Sequence, residues 1–227
     1  MRKIKRIANQ LKRAVQSVFY NSAEKRHSLV GPAKFWKIKR DFQIGFLKKV
    51  GLQPHHYFLE IGCGTLRGGV PIIKYLENSH YYGIEARDNV LEEGKKELAE
   101  ANLITKQPVL VAAEDISSIE LNQKFDYVWA FSVLIHMTDN ILRDCLAFVS
   151  KNLKADGFFY ANVNTNTTPD GAWQGFPVVH RSIEFYTSEC SRYGLAFDII
   201  GSLKDLGHIT KMEGDDNIML KIYKIKS

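Results

Sequence analysis

The hydrophobic positions of this chain switch repeatedly between a helical period of about 3.6 residues and short continuous or alternating runs, the pattern of helices interleaved with strands. Ile4, Ile7, Leu11, Val15, Val18 and Phe19 share one stripe of a helix predicted over 2–20, and Arg2, Lys3, Lys5, Arg6, Lys12 and Arg13 occupy the rest of it. Residues 21–33, ending in Gly31-Pro32, read as a linker. A second amphipathic helix over 34–50 carries Phe35, Trp36, Ile38, Phe42, Phe46, Leu47 and Val50, with Gly51 as its C-terminal cap and Pro54 as a stop.

Beyond it the alternation is regular. Strands are predicted over 57–61, 80–86, 108–113 and 125–131, with helices over 70–76, 89–102 and 139–151. Asp156-Gly157 turns into a fifth strand ending at Val163, a helix covers 182–193, and strands over 195–200 and 217–224 close the chain. The run Phe125 to Phe131 is apolar almost throughout, as a strand covered on both faces requires. The expected fold is α/β, a doubly wound Rossmann-like sheet of seven strands ending in an antiparallel pair, in one domain over 34–227. The polar, turn-rich stretch 164–181 is long enough to be a substrate lid.

Composition narrows the class. With 45% hydrophobic and 25% charged residues, the 227-residue chain is that of a globular protein able to bury a sizeable core. No apolar run reaches a membrane span and no secretory signal is visible, so a cytoplasmic location is expected. Cys63, Cys145 and Cys190 are scattered without metal-ligand spacing, which fits a reducing compartment. Cys63 opens a helix, where a thiol pKa can fall, although a small side chain filling the turn is the favoured reading. The net charge of +6 divides unevenly: residues 1–50 carry +12 and the remainder −6. The basic N-terminal helix suits peripheral contact with an anionic membrane surface, or docking on the body or on a partner.

Candidate chemistry begins at Tyr57-Phe-Leu-Glu-Ile-Gly-Cys-Gly-Thr-Leu-Arg-Gly-Gly69. Glycines after a strand permit a tight turn and a close ligand approach, and the following helix offers unpaired N–H groups. Glu60 places a carboxylate beside that turn. It would repel a pyrophosphate and hold an ammonium group, which points to S-adenosylmethionine (SAM) rather than a dinucleotide.

The ordered set Leu59-Glu-Ile-Gly-Cys-Gly64, Glu85 ending the second strand, Glu114-Asp115 after the third, Phe125-Asp-Tyr-Val128 opening the fourth and Leu153-Lys-Ala-Asp-Gly157 before the fifth resembles the class I SAM-dependent methyltransferases over roughly residues 34–227. The Leu66-Arg67-Gly68-Gly69, Tyr81-Tyr-Gly-Ile-Glu85 and Ser132-Val-Leu-Ile-His136 stretches are similar to a bacterial subgroup associated with glycan or secondary-metabolite pathways. One departure is visible: Leu66 stands where the loop's third glycine is usual.

The resemblance implies a cofactor site of Glu60, Gly62, Cys63, Gly64, Arg67, Glu85, Ala86, Glu114, Asp115, Ile116, Phe131 and Ser132. Glu85 is placed to accept from the ribose hydroxyls and Asp115 from the adenine amino group beside the Ile116 amide. Glu60 and the Gly62 and Gly64 backbone would hold the methionine end, with Glu114 as a solvated neighbour. Strand-end solvation or helix capping is the lesser alternative for Glu85 and Asp115. His136 follows the fourth strand and is a candidate base for a substrate hydroxyl, or alternatively a packing residue. His180 is a second candidate, with a surface histidine as its alternative, and Tyr186 suits the core.

Clustered carboxylates are missing after the fourth and fifth strands, so metal-independent transfer to an oxygen of a small molecule, saccharide or lipid-linked glycan is expected. A nicotinamide-dependent oxidoreductase shares the glycine turn and distal acid, but Glu60 and the final strand pair oppose it. A nucleic-acid or protein methyltransferase draws support only from the basic N-terminus, since the body is net acidic. Oligomeric state is not encoded in these patterns.

Overall fold

The computed structural model describes residues 23–173 and 175–226. The helix read over 2–20 lies outside the described residues. Within the stretch read as a linker, residues 23–28 are helical. The reason is tertiary: buried Arg26 donates to Glu93, Glu97 and Glu100 at 2.9–3.2 Å, and His27 stacks on Trp36 with ring centroids 3.6 Å apart.

A 3-10 turn, Ala33–Phe35, leads into helix α1 (Trp36–Lys49). The sheet then forms from β1 (Phe58–Ile61), β2 (Tyr81–Glu85), β3 (Val109–Ala112), β4 (Phe125–Ala130) and β5 (Leu153–Val163). Helices α2 (Gly69–Tyr75), α3 (Asp88–Glu100) and α4 (Asp139–Asn152) connect them. A small hairpin, β6 (Gly171–Trp173) and β7 (Phe176–Val178), follows. Helix α5 (Ile183–Arg192), β8 (Leu195–Ser202) and β9 (Ile218–Lys224) complete the chain.

The seven-stranded sheet has the order β3-β2-β1-β4-β5-β9-β8. Strands β1 to β5 pair in parallel, while β9 is antiparallel to both β5 and β8. The order reverses between β1 and β4, the place where such sheets open a crevice at the strand C-termini.

Alternation along the central strands separates two cores. Leu59, Ile61, Val128, Ala130 and Phe159 face Leu142, Cys145, Leu146, Tyr186 and Cys190 of α4 and α5. Phe58, Trp129 and Tyr160 face Phe46, Leu47, Ile72, Ile73 and Leu91 of α1, α2 and α3. Both faces are therefore covered, and the apolar character of Phe125–Ala130 follows from it. Buried Trp129 Nε1 donates to Gln43 Oε1 at 2.9 Å, which pins α1 to the sheet without leaving an unpaired indole N–H.

Two boundaries differ from the sequence reading. Strand β5 starts at Leu153, directly after α4, because Leu153 pairs with Phe125 before a register shift. Asp156-Gly157 lies within that irregularity rather than ahead of the strand. The stretch 164–181, read as lid, contains the β6–β7 hairpin, in which Gly171 faces Val178 and Trp173 faces Phe176.

Candidate functional site

The parallel strands end at one side in a cavity of about 580 Å³. Of the site residues expected from sequence, Glu60, Gly62, Cys63, Gly64, Arg67, Glu85, Ala86, Glu114, Ile116, Phe131, Ser132, His136 and His180 all line it. Asp115 does not. Its carboxylate accepts from Ser117 N–H at 2.8 Å and Ser117 Oγ–H at 2.7 Å, capping a 3-10 turn in solvent, and these bonds hold it below the usual carboxylate range. Both side chains are exposed, and of the two only Glu114 lines the cavity.

The loop after β1 is built on left-handed backbone, with Gly62 at φ +69° and Gly64 at φ +56°. A Cβ on Gly62 would sit 2.5 Å from Val133 Cγ2, and one on Gly64 2.7 Å from Val30 Cγ1. Glycine is therefore required on conformational and steric grounds together. Leu66, standing where a glycine is usual, adopts φ +57° itself. Its fully buried side chain in the α2 core offsets the cost of that conformation.

Glu85 is 4% exposed. Its Oε2 accepts from Gly64 N–H at 2.9 Å and its Oε1 from Arg87 N–H and Nε–H at 3.2 and 2.9 Å. The β2 tip and the glycine loop are thus tied by one carboxylate. Arg87 also donates to Leu29 O at 3.2 Å and lies 5.0 Å over the Phe176 ring, clasping the N-terminal segment and the hairpin across the cavity.

Glu60 is likewise 4% exposed and accepts from Tyr81 Oη–H at 2.5 Å. Burial pushes its pKa up to about 7, opposed by the tyrosine hydrogen bond and by Arg67. A folded-state pKa above the unfolded value near 4.5 means that ionising Glu60 costs stability, progressively from that value up to about pH 7 and fully above it. Glu60→Gln is therefore expected to stabilise the ligand-free protein at pH 8 by on the order of 2–3 kcal/mol relative to its effect at pH 4, measured by urea unfolding at both pH values. Equal effects at the two pH values would contradict this account.

At the mouth, Ser132 lies two residues past β4 at φ +58°, and its N–H donates to Asn162 Oδ1 at 2.7 Å. His136 follows in a 3-10 turn, Leu134–His136. Its Nδ1 lies 2.7 Å from Pro177 O. A carbonyl only accepts, so Nδ1 carries the hydrogen and Nε2 keeps a lone pair. Burial lowers the His136 pKa, keeping the ring neutral, and Trp173 stacks beside it at 5.8 Å. His180 is anchored by its own N–H to Asp170 Oδ1 at 3.0 Å, while its Nδ1 is buried without a partner among the described residues. Cys63 is buried and its thiol is raised, not lowered, by desolvation, so it fills the turn.

Several lining residues escape sequence reasoning: Lys39 of α1, Arg87, Asn164, the hairpin aromatics Trp173 and Phe176, and His208 in the β8–β9 connection. His208 is 3% exposed and pairs through Nδ1 with Asp215 Oδ1 at 3.0 Å. Asp215 further accepts from Thr210 N–H, Thr210 Oγ1–H and Lys211 N–H, each at 2.7 Å. No local signal marks Lys39 or His208, because only the fold brings them to the cavity.

The cradle fits a SAM-sized ligand with an ammonium and a diol, since two buried carboxylates and a close-approach glycine turn face one cavity. Residues 59–159 match the family described as Methyltransferase domain. A comparison with curated proteins finds no match. Among solved structures, a SAM-dependent methyltransferase from Clostridium acetobutylicum is 15% identical, with 85% of this chain and 92% of that chain covered at a TM-score of 0.62. The magnesium protoporphyrin IX methyltransferase of Synechocystis, solved with bound SAM, is 14% identical over 94% of this chain and 96% of its own, TM-score 0.65. The glycopeptide N-methyltransferase MtfA is 18% identical over 80% and 88%, TM-score 0.62. At these identities the structures speak for the fold alone. The family match identifies a methyltransferase domain over residues 59–159, and the strand order is that of the Rossmann-like sheet shared with these methyltransferases of known structure.

Proposed function

We propose that the enzyme transfers the SAM methyl group to an oxygen of a small molecule, saccharide or lipid-linked glycan, with His136 as the base. The observation that carries this reading is the fixed tautomer of His136, a neutral imidazole with a bare Nε2 in the same cavity as Glu60 and Glu85. When bound, SAM supplies an activated sulfonium methyl group, so the protein's task is positioning and proton removal.

In this reading Glu85 accepts from the ribose hydroxyls, Glu60 faces the ammonium, and the Gly62–Gly64 backbone allows the close approach. Glu114, Ile116 and Ala86 flank the adenine, and Phe131 and Ser132 bound the cavity on the β4 side. His136 Nε2 would take the proton of the acceptor hydroxyl, and the Pro177 carbonyl would hold the resulting imidazolium through Nδ1–H. Trp173 and Phe176 offer an apolar wall for the acceptor. The basic composition of residues 2–20 supports docking on an anionic membrane surface.

Methyl transfer from labelled SAM to a panel of hydroxylated acceptors tests the reading. His136→Ala is expected to lower kcat by roughly 10²–10⁴-fold while leaving S-adenosylhomocysteine affinity within twofold. In the wild type, kcat should fall as pH drops through the lowered His136 pKa. Full activity of the alanine variant would reduce His136 to a packing role.

A further inference from the structure

The cavity wall that continues from His136 is hydrocarbon. Val179 N–H donates to Ile135 O at 2.9 Å, which fastens the β6–β7 hairpin to the 3-10 turn carrying His136. From this joined unit and the first turn of α4, Met137, Ile141, Trp173 and Phe176 line the cavity. Trp173 and Phe176 lie 5.8 and 6.1 Å from the His136 ring, centroid to centroid. Ile141 lines the cavity and is nevertheless 47% exposed, so it stands at the rim.

The charges nearest this wall are neutralised outside it. Arg181 pairs with Asp139 at 2.9 Å and with Asp170 at 2.8 Å, and none of the three lines the cavity. Arg87, which does line it, pairs with Glu85 at 2.9 Å. The polar side chains that the segment before the hairpin adds are the uncharged Asn164, Asn166 and Thr168. An ionic acceptor would find no free counter-charge here, whereas an apolar chain would find a continuous surface. The cavity of about 580 Å³ is the size of one small-ligand pocket. With a cofactor at the glycine turn, an acceptor larger than a single ring extends past the rim.

We infer that the methyl acceptor is an amphiphile, with an uncharged hydroxylated head at His136 Nε2 and an alkyl or isoprenoid chain leaving over Trp173, Met137 and Ile141. This rests on the methyltransferase reading above and narrows its acceptor to the lipid-linked class. A free saccharide leaves the hydrocarbon rim without a partner.

Calorimetry of the full chain saturated with S-adenosylhomocysteine tests it, with octyl β-glucoside below its micelle concentration and methyl β-glucoside as probes. Octyl glucoside should bind at least tenfold more tightly; tenfold is about 1.4 kcal/mol, the burial of about two methylene groups. Ile141→Ser, at a half-exposed position that does not endanger folding, should weaken octyl glucoside about fivefold or more. The same variant should leave methyl glucoside and S-adenosylhomocysteine within twofold, and Ile141→Leu should keep most of the octyl affinity. Ile104, 62% exposed and outside the cavity, serves as the control: Ile104→Ser should change nothing. The proposal is overturned if the octyl chain adds no affinity, if Ile141→Ser binds octyl glucoside as the wild type does, or if Ile104→Ser weakens it equally. A wild type that fails to bind S-adenosylhomocysteine overturns the methyltransferase reading itself, which separates that failure from a failure of the chain-binding rim.

Discussion

Glu85→Ala lowers the affinity for S-adenosylhomocysteine by roughly 100-fold or more while the protein stays folded. Two losses combine. The variant lacks the acceptor oxygens proposed for the ribose hydroxyls, and charge-assisted hydrogen bonds contribute about 1.5–3 kcal/mol each. It also frees Gly64 N–H and the Arg87 guanidinium, which both donate to this carboxylate, so the glycine loop and the β2 tip lose their shared anchor. Glu85→Gln retains one acceptor and should fall between the two. Calorimetry reads the affinities, and circular dichroism checks the fold. An alanine variant that binds with wild-type affinity would show that Glu85 is only a structural tie between two loops, and the cofactor orientation proposed here would fail.

Gly62→Ala is the second large effect, and it falls on stability. The residue sits at φ +69°, where an L side chain costs roughly 1–2 kcal/mol. Its new Cβ would meet Val133 Cγ2 at 2.5 Å and Cγ1 at 3.1 Å, and such overpacking adds about 1–3 kcal/mol. The expected loss is about 2–5 kcal/mol, or roughly 4–20 °C in Tm for a chain of this size. Pairing it with Val133→Ala removes the clash but not the backbone term, so the double variant should recover only part of the loss. Differential scanning calorimetry of the three variants decides. A Gly62→Ala protein melting within about 1 °C of wild type would mean the loop relaxes freely and does not form a rigid floor for the cavity.

These outcomes depend on residues whose positions the sequence discloses to different degrees. Glu60, Gly62, Gly64 and Glu85 were legible because each sits at or just past a strand tip. There the hydrophobic run sets the register and the strand order sets the neighbour. Glu114 and Asp115 lie one step further out, beyond the last β3 residue, and periodicity no longer says which side chain turns inward. The short Asp-x-Ser turn does: Asp115 closes on Ser117, and local bonding of this kind is what Asp and Ser offer at turns. That signal was available in the sequence and outweighed the inference drawn from adjacency.

The segment before α1 teaches the opposite lesson. Gly31-Pro32 and a polar composition suggest a tether, yet Arg26 is buried against three glutamates of α3. Leu29, Val30 and Gly31 become cavity wall.

By itself, then, the chain's pattern determined an α/β sheet with both faces covered, the β1 glycine turn with its flanking acid, and the acid at the end of β2. All of these follow from contacts between residues near in sequence or on paired strand tips. Only the tertiary structure decided that Lys39 and Arg67 converge, that His208 is held by Asp215 at the cavity, and that the β6–β7 hairpin fixes the His136 tautomer through Pro177. The first and last of those relations join residues 28 and 41 positions apart, and the second carries a local pair only 7 positions apart to a distant cavity; no local period or propensity carries information about which distant side chains the closed fold will bring together.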